Sequence, residues 1–555
     1  MIKNSATVLL IALTALPLCA HADDMTAPPD FDARALRAHV EFLADDLLEG
    51  RNTGTRGYDL AARYVASIFA MAGLEPAGDK DSWFQYFDTV EGRLVEDSAT
   101  MTLRTAGGDE LPMVWHEDYV LGGSYVDPET RIDAPVTFVG YGVTAPELGY
   151  DDYQDLDVEG HVLAWFSGAP EAFASHQRAY YSSRSKLENA ARRGAIGILS
   201  FPTREQAERQ PWEDTVKAYG FTGMRWVNAD GDVQGLFPPV RGGATLSPAG
   251  IEKLLTGSGV TLEQLYDEAA AGRPRAMSLP VTVSLSRRSE QIPHKAYNVA
   301  AILRGSDPAL ADEYVVLTGH LDHIGVGAEY DGDTIYNGAY DNATGIAIML
   351  EVARAMAPAE TRPARSILFL AVTGEEKGLL GSDYFAEHPT VPIDQVVANI
   401  NLDMPVFAYK TTDMVAFGAE HSSLIGPATR AAQAAGFELA PDPLPEETIF
   451  VRSDQYSFVK RGVPAVYLMP GFSSPDPAMD GGAGFMHFLQ THYHKPSDEL
   501  ELPFDAAAAE RFTLANYLMI RAVADDPARP VWNPGDFFGD RFARPSAVPI
   551  SAPAP

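Results

Sequence analysis

The sequence predicts an α/β fold in which a mostly parallel mixed sheet is sandwiched by helices and interrupted by an inserted β-rich domain. Two observations lead there. From Lys295 onward, apolar runs of strand length alternate with helical stretches, the pattern of a largely parallel sheet covered on both faces. Between about Asp97 and Gln291 the texture changes to short β-branched and aromatic runs broken by turn residues.

Taken in order, residues 31–46 and 57–72 carry apolar side chains at three- and four-residue spacing, among them Leu36, Val40 and Leu43, then Ala61, Tyr64, Val65 and Ile68. Both are amphipathic helices by periodicity. The segment 48–57 between them, which contains Arg51, is polar and glycine-rich, a turn by default. In the insert, 135–142 and 161–166 are strand-like, a helix over 185–194 precedes a strand over 195–201, and 261–271 is a second helix. No residue there has a spacing that points to catalysis. Strands follow at 297–303, 314–318, 366–372, 396–402, 414–417 and 465–469, with helices at 343–356, 378–387 and 422–435 and a closing helix at 504–524. The many prolines after Asp526 predict a loosely held tail. The division is therefore 1–22, a signal peptide; 23–96, a first segment of the α/β domain; 97–291, the insert; 292–525, the second segment of that domain, with the candidate site; and 526–555, the proline-rich tail.

The first segment rests on Met1, Ile2 and Lys3 followed by the apolar run Ala6 to Leu18 and then Ala20, His21 and Ala22, which fits a secretory signal cleaved after Ala22. That run is too short to span a bilayer, so a periplasmic or secreted bacterial protein without stable membrane insertion is expected. The only cysteine, Cys19, lies inside the signal, and the mature chain is expected to rely on core size rather than disulfides. Lipidation at Cys19 is disfavoured by the bulky Leu18 before it. A formal charge of −34 argues against nucleic acid, which is bound by clustered Lys and Arg.

Five acidic residues, Asp322, Asp341, Glu375, Glu376 and Asp403, accompany His320 and His494 in segments that follow short apolar runs. Gathered in one cleft, each carboxylate pair about 4 Å apart repels by ~4 kcal/mol, so such a site makes sense only around cations. His320, Asp322, Glu375, Glu376 and Asp403 all fall beyond the carboxyl ends of strands, where α/β sheets gather functional groups. Asp341 precedes a helix and alone would read as an N-cap; in this company it reads as a ligand. Zinc accepts imidazole nitrogen and carboxylate oxygen, and a hydrolytic site leaves one position open. Of the adjacent pair Glu375 and Glu376, one can turn to metal while the other faces water as a base. His492 and His494 point the same way from an extended segment, and spacing does not choose between them. His323 and His487 have no assigned role.

These motifs, 319–323 (GHLDH), 338–345 (GAYDNATG), 374–382 (GEEKGLLGS), 401–404 (NLDM), 453–458 (SDQYSF) and 493–498 (YHKPSD), together resemble the co-catalytic di-zinc exopeptidases, the family of bacterial zinc aminopeptidases that includes glutamate carboxypeptidase and the transferrin receptor. The resemblance implies the zinc exopeptidase fold and two Zn2+ ions. His320 and Asp403 would hold one, Glu376 and His494 the other, with Asp341 bridging. It implies that Glu375 is the general base, that Asp322 is a carboxylate orienting His320, and that the Asp341–Asn342 peptide is cis. The insert resembles a protease-associated domain, notably at 138–146, Asp151 to Tyr153 and 186–199. Gln455 stands where relatives commonly carry His.

The implied activity is that of a metalloprotease: an aminopeptidase removing N-terminal residues from peptide substrates, with a hydroxide shared by two zincs and Glu375 moving the proton. A carboxypeptidase or dipeptidase on the same metals is the alternative, and it needs a cation for the substrate carboxylate, for which Arg452 is the candidate. An inactive binding protein is a further alternative, against which every expected ligand is present. Tyr340, Phe407, Tyr456, Phe472 and Tyr493 are candidate pocket walls.

Overall fold

The computed structural model describes residues 28–182 and 184–544. The signal reading over 1–22, with Cys19, and the last part of the tail lie outside the described residues. Strands named below are β1 (Phe84–Leu94), β2 (Ala276–Leu303), β3 (Tyr314–His320), β4 (Ser366–Val372), β5 (Val396–Leu402), β6 (Asp413–Phe417) and β7 (Ala465–Pro470). Helices are α1 (Ala33–Leu43), α2 (Arg56–Met71), α3 (Arg204–Arg209), α4 (Trp212–Ala218), α5 (Thr344–Met356) and α6 (Ala506–Ala524).

The peptidase sheet runs β1-β2-β4-β3-β5-β7-β6. β4, β3, β5 and β7 are parallel, and β1, β2 and β6 pair antiparallel at the flanks. Every residue of β3, β4 and β5 is buried, which is why their sequences are continuous apolar runs rather than alternating ones. Leu317, Phe369 and Ile400 sit in one core with α2, α5 and α6, each contributing ~1.5–3 kcal/mol by burial. The helices start where their caps dictate. Asp32 accepts from Arg34 N before α1, Thr55 from Tyr58 N before α2, and Asp505 from Ala508 N before α6. Register then decides the site: His320 lies beside Val372 and Thr318 beside Asn401, so the residues just past β3, β4 and β5 emerge at one edge.

The insert is joined to this sheet more closely than the expected boundary at Gln291 implies. β2 is one 28-residue strand: its residues 281–286 pair with Thr100–Thr105 in the insert, and its residues 289–299 pair with β1. The insert also returns Gly223–Val227 to the edge of β1. Its own sheet includes the parallel strands Glu129–Val139, Val162–Phe166 and Gly197–Phe201. It carries helices that strand periodicity did not predict, among them α3, opened by a Thr203/Gln206 capping box, and α4.

The tail departs from expectation. Residues 526–544 are packed, not loose: Phe538 is fully buried, Trp532 Nε1 donates to the Gly462 carbonyl at 3.0 Å, and His421 Nδ1 lies 2.6 Å from Asp536. Arg541 lies over the rings of Tyr180 and Phe537, tying the insert to the body. Prolines stop helix there, but aromatic anchors hold the chain. Among the described residues no helix is long and apolar enough to cross a membrane.

Candidate metal centre

The edge beyond β3, β4 and β5 brings together all five of the predicted ligands. His320 Nε2 lies 3.1 Å from Asp341 Oδ1 and 3.2 Å from Asp403 Oδ1. His494 Nε2 lies 3.3 Å from Asp341 Oδ2 and 3.0 Å from Glu376 Oε2. Asp341 thus offers one oxygen to each histidine. Donors held ~2.0–2.2 Å from a tetrahedral ion are spaced by about these distances, and the nitrogen and oxygen set suits zinc. His320, Asp341 and Glu376 are nearly inaccessible, whereas the His494 side chain is 37% exposed and closes the site from the solvent side.

Electrostatics point the same way. Burial works against protonation of His494, but Glu376 and Asp341 raise its pKa to about 10. Burial likewise opposes a charge on His320, yet Asp403 and Asp341 push it well above the usual imidazole range. The carboxylates call for positive charge where these imidazoles meet them, and metal ions supply it without protons. Burial alone would raise Glu376, but His494 and His323 hold it well below the carboxylate range. The donor set therefore fits two zinc ions sharing Asp341.

Glu375 differs from its neighbour. Its carboxyl faces the cleft, within 4.8 Å of donor atoms of His320 and Glu376, and burial followed by the Glu376 charge pushes it well above the carboxylate range, against the pull of His320. Asp322 departs from the expected role. His320 Nδ1 meets the main-chain carbonyl of Asp322 at 3.1 Å, while the Asp322 carboxylate accepts from Glu375 N at 3.2 Å. It braces the Glu375 backbone rather than the histidine ring.

Supporting residues that the sequence reading left unassigned complete the shell. Asp498 accepts from Tyr340 N at 2.9 Å and Asp341 N at 3.0 Å, fixing the loop that carries Asp341. The Asp341–Asn342 peptide is cis. Asn342 donates to the Leu402 carbonyl at 2.8 Å and accepts from Met404 N at 3.2 Å, joining that loop to Asp403. Fully buried Arg51 donates to the carbonyls of Leu321 (3.0 Å), Asn337 (2.5 Å) and Gly338 (3.0 Å), and to that of Leu43. His323 Nδ1 lies 2.7 Å from Glu376 Oε1. Asp498 sat in a motif already singled out, whereas Arg51, inside a glycine-rich connector, had no local signal.

The site opens into a cleft of about 760 Å³ lined by Asp341, Glu375, Asp403 and His494. Of the candidate wall aromatics only Tyr493 lines it, stacked on His494 with ring centroids 3.8 Å apart. Tyr340, Phe407 and Tyr456 are core residues, and the walls are instead Phe221, Tyr330, Tyr336, Tyr467 and Phe485. Gln455 is buried, donating to the Phe450 carbonyl at 2.8 Å, and does not reach the cleft. His492 turns away to Ser497, at 3.0 Å from its hydroxyl.

Comparison with known proteins agrees with this geometry. Residues 298–519 match the model of peptidase family M28. A "Probable zinc metalloprotease" of Pyricularia oryzae is 36% identical over 136 residues, 24% of this chain and 26% of that protein. A "probable leucine aminopeptidase 2" of Aspergillus oryzae is 29% identical over 232 residues, 40% of this chain and 43% of that protein. The chain spans about a quarter of the length of the first curated relatives it matches. The solved aminopeptidase from Aneurinibacillus sp. strain AM-1 shares the fold, with a TM-score of 0.51 at 18% identity over 91% of this chain and 97% of that one. The match to peptidase family M28 spans 298–519, the stretch that carries His320, Asp341, Glu376, Asp403 and His494.

Proposed function

We propose that the protein is a zinc-dependent aminopeptidase that hydrolyses the N-terminal bond of peptides. The observation that carries this reading is the floor of the cleft, where Asp341, Glu375 and Asp403 line a space open to substrate. These carboxylates keep acceptor lone pairs beyond those that zinc would take, and the several N–H donors of a free α-amine match them better than the single N–H of a blocked terminus. His320, Asp403 and Asp341 would hold one zinc, and His494, Glu376 and Asp341 the other. When bound, the pair supplies Lewis acidity toward the scissile carbonyl and lowers the pKa of the attacking water.

The chain's own residues supply the rest. Glu375, held over the site by the bond from its backbone N–H to Asp322, takes the water proton and returns it to the leaving amine. A carboxyl whose pKa is raised by burial is suited to both halves of that transfer. Asp498 and Asn342 hold the Asp341 loop against the end of β5, which fixes the spacing between the two halves of the donor set. We further propose that the protein works after export, a reading supported by the N-terminal pattern of Met1 to Ala22.

The second reading, a carboxypeptidase, is favoured by one observation: Arg452 lines the same cleft. Peptide amides with a free amine, set against N-acetylated peptides with a free carboxylate, separate the two. Cleavage of the first class alone supports the aminopeptidase, and cleavage of the second class alone overturns it.

A further inference from the structure

The cleft is not uniformly charged, although the chain carries 76 Asp and Glu against 42 Lys and Arg. Beyond its anionic floor, the lining contains four cations, Arg209, Lys217, Arg452 and Lys495, and only two further carboxylates, Asp214 and Glu447. Glu447 is shared: Arg452 Nη1 reaches it at 3.1 Å and Arg209 pairs with its other oxygen. One carboxylate between two guanidinium groups leaves a net positive charge. The ammonium of Lys495 is directed to the main-chain carbonyl of Gln490, not to a carboxylate.

These cations are close to the floor by construction. Lys495 follows the ligand His494 directly. Arg452 precedes Ser453, whose hydroxyl accepts from Asn401 Nδ2 at 2.8 Å, two residues before Asp403. An extended peptide advances roughly 3.3–3.6 Å per residue, so a di- or tripeptide reaches roughly 7–11 Å from its amine.

The insert closes the far side. On one bank Arg209 meets Glu447, and Ser175 Oγ donates to the Pro445 carbonyl at 2.6 Å. On the other bank Lys217 lies 4.0 Å over the Tyr330 ring, and Phe221 packs edge-on to Tyr336 at 5.2 Å. α3 and α4 therefore span the cleft, which limits the length of chain it accepts.

We infer that Arg452 and Lys495, with Arg209 beside them, bind the C-terminal carboxylate of a di- or tripeptide whose free amine faces the Asp341, Glu375 and Asp403 floor. The preferred substrates are then short peptides with both ends free. The inference rests on the aminopeptidase reading given above and adds the substrate class.

The test is kcat/KM for the zinc-loaded enzyme on Leu-Gly-Gly, its C-terminal amide, Leu-Glu amide and a decapeptide that begins Leu-Gly-Gly. The free tripeptide should exceed its amide by about tenfold, the scale of a charge-assisted hydrogen bond in a partly exposed site, and should exceed the decapeptide. In Arg452→Gln and in Lys495→Gln the acid-to-amide ratio should fall toward one, and high salt should lower it in the unaltered enzyme. A purely structural role for either cation lowers both rates and leaves the ratio in place, which overturns the inference. Equal rates on acid and amide in the unaltered enzyme also overturn it, as does Leu-Glu amide matching the free tripeptide, since the carboxylate read would then be a side chain. Cleavage of N-acetyl-Leu-Gly with none of the free-amine peptides would instead sink the aminopeptidase reading itself.

Discussion

Nδ1 of His323 lies 2.7 Å from Oε1 of Glu376, at a site where neither residue is open to solvent, while Oε2 of the same carboxylate meets His494 at 3.0 Å. An ionised carboxylate only accepts, so His323 carries its proton on Nδ1 and fixes which way Glu376 faces. Partners of this kind typically contribute 10–100-fold in metal affinity. His323→Ala should weaken zinc binding by roughly that factor, and His323→Asn, which keeps a donor, should recover part of it. Competition with a chromogenic chelator measures both; unchanged affinity in the alanine variant would remove His323 from the site's support.

Glu375→Gln should retain its metal and lose activity. The amide is isosteric but cannot take a proton, and groups in this role contribute roughly 10²–10⁴-fold in rate. Metal analysis and steady-state kinetics on the same preparation separate the two effects. A variant that turns over at the normal rate would exclude Glu375 as the base.

Arg51 should prove a structural keystone of the ligand loops. Its guanidinium satisfies the carbonyls of Leu321, Asn337 and Gly338, next to His320 and ahead of Asp341. Arg51→Met leaves those buried acceptors unpaired at ~1–3 kcal/mol each, so a loss of at least ~3 kcal/mol is expected in urea unfolding. A loss below ~1 kcal/mol would show that the loops hold themselves.

Ion-free protein should become less stable as pH rises. His494, with a folded-state pKa raised to about 10 from the ordinary 6.5, binds its proton more tightly folded than unfolded. Its contribution is complete below pH 6.5 and fades as pH climbs through about 10. His320 is raised in the same sense. Glu376 is depressed and contributes above the ordinary carboxylate range, so it does not change across this window. Zinc, which requires deprotonated ligands, binds better over the same interval. Thermal melts of chelated and zinc-loaded protein should therefore diverge from pH 6.5 to 10. Curves that stay parallel would mean the histidines do not face these carboxylates.

Much of this was legible in the sequence, and the losses have physical causes. β3, β4 and β5 are buried on both faces and announce themselves as apolar runs, and the residues just past them follow by topology. Arg51 escaped because a buried guanidinium bonded to carbonyls leaves no periodic trace in its own segment. The Asp322 carboxylate was expected on the His320 ring, but the β3 chain turns so that its carbonyl takes that place. α3 and α4 are short, half-exposed helices within a strand-rich insert, and their importance lies in where β1 and Gly223–Val227 carry them. The tail was misread because proline content describes helix propensity, whereas Phe538 and Trp532 act through tertiary packing.

In the proposed site Asp341 joins two zinc positions, one shared with His320 and Asp403 and the other with His494 and Glu376. Zinc content per chain, measured by mass spectrometry of metals on gel-filtered protein, tests it most directly when the unaltered enzyme is run beside Asp341→Ala and His320→Ala. Two zinc ions are expected in the unaltered enzyme, one in His320→Ala and close to none in Asp341→Ala, since only the aspartate serves both positions. An unaltered enzyme saturating at one zinc, or an Asp341→Ala variant that still holds two, would contradict it.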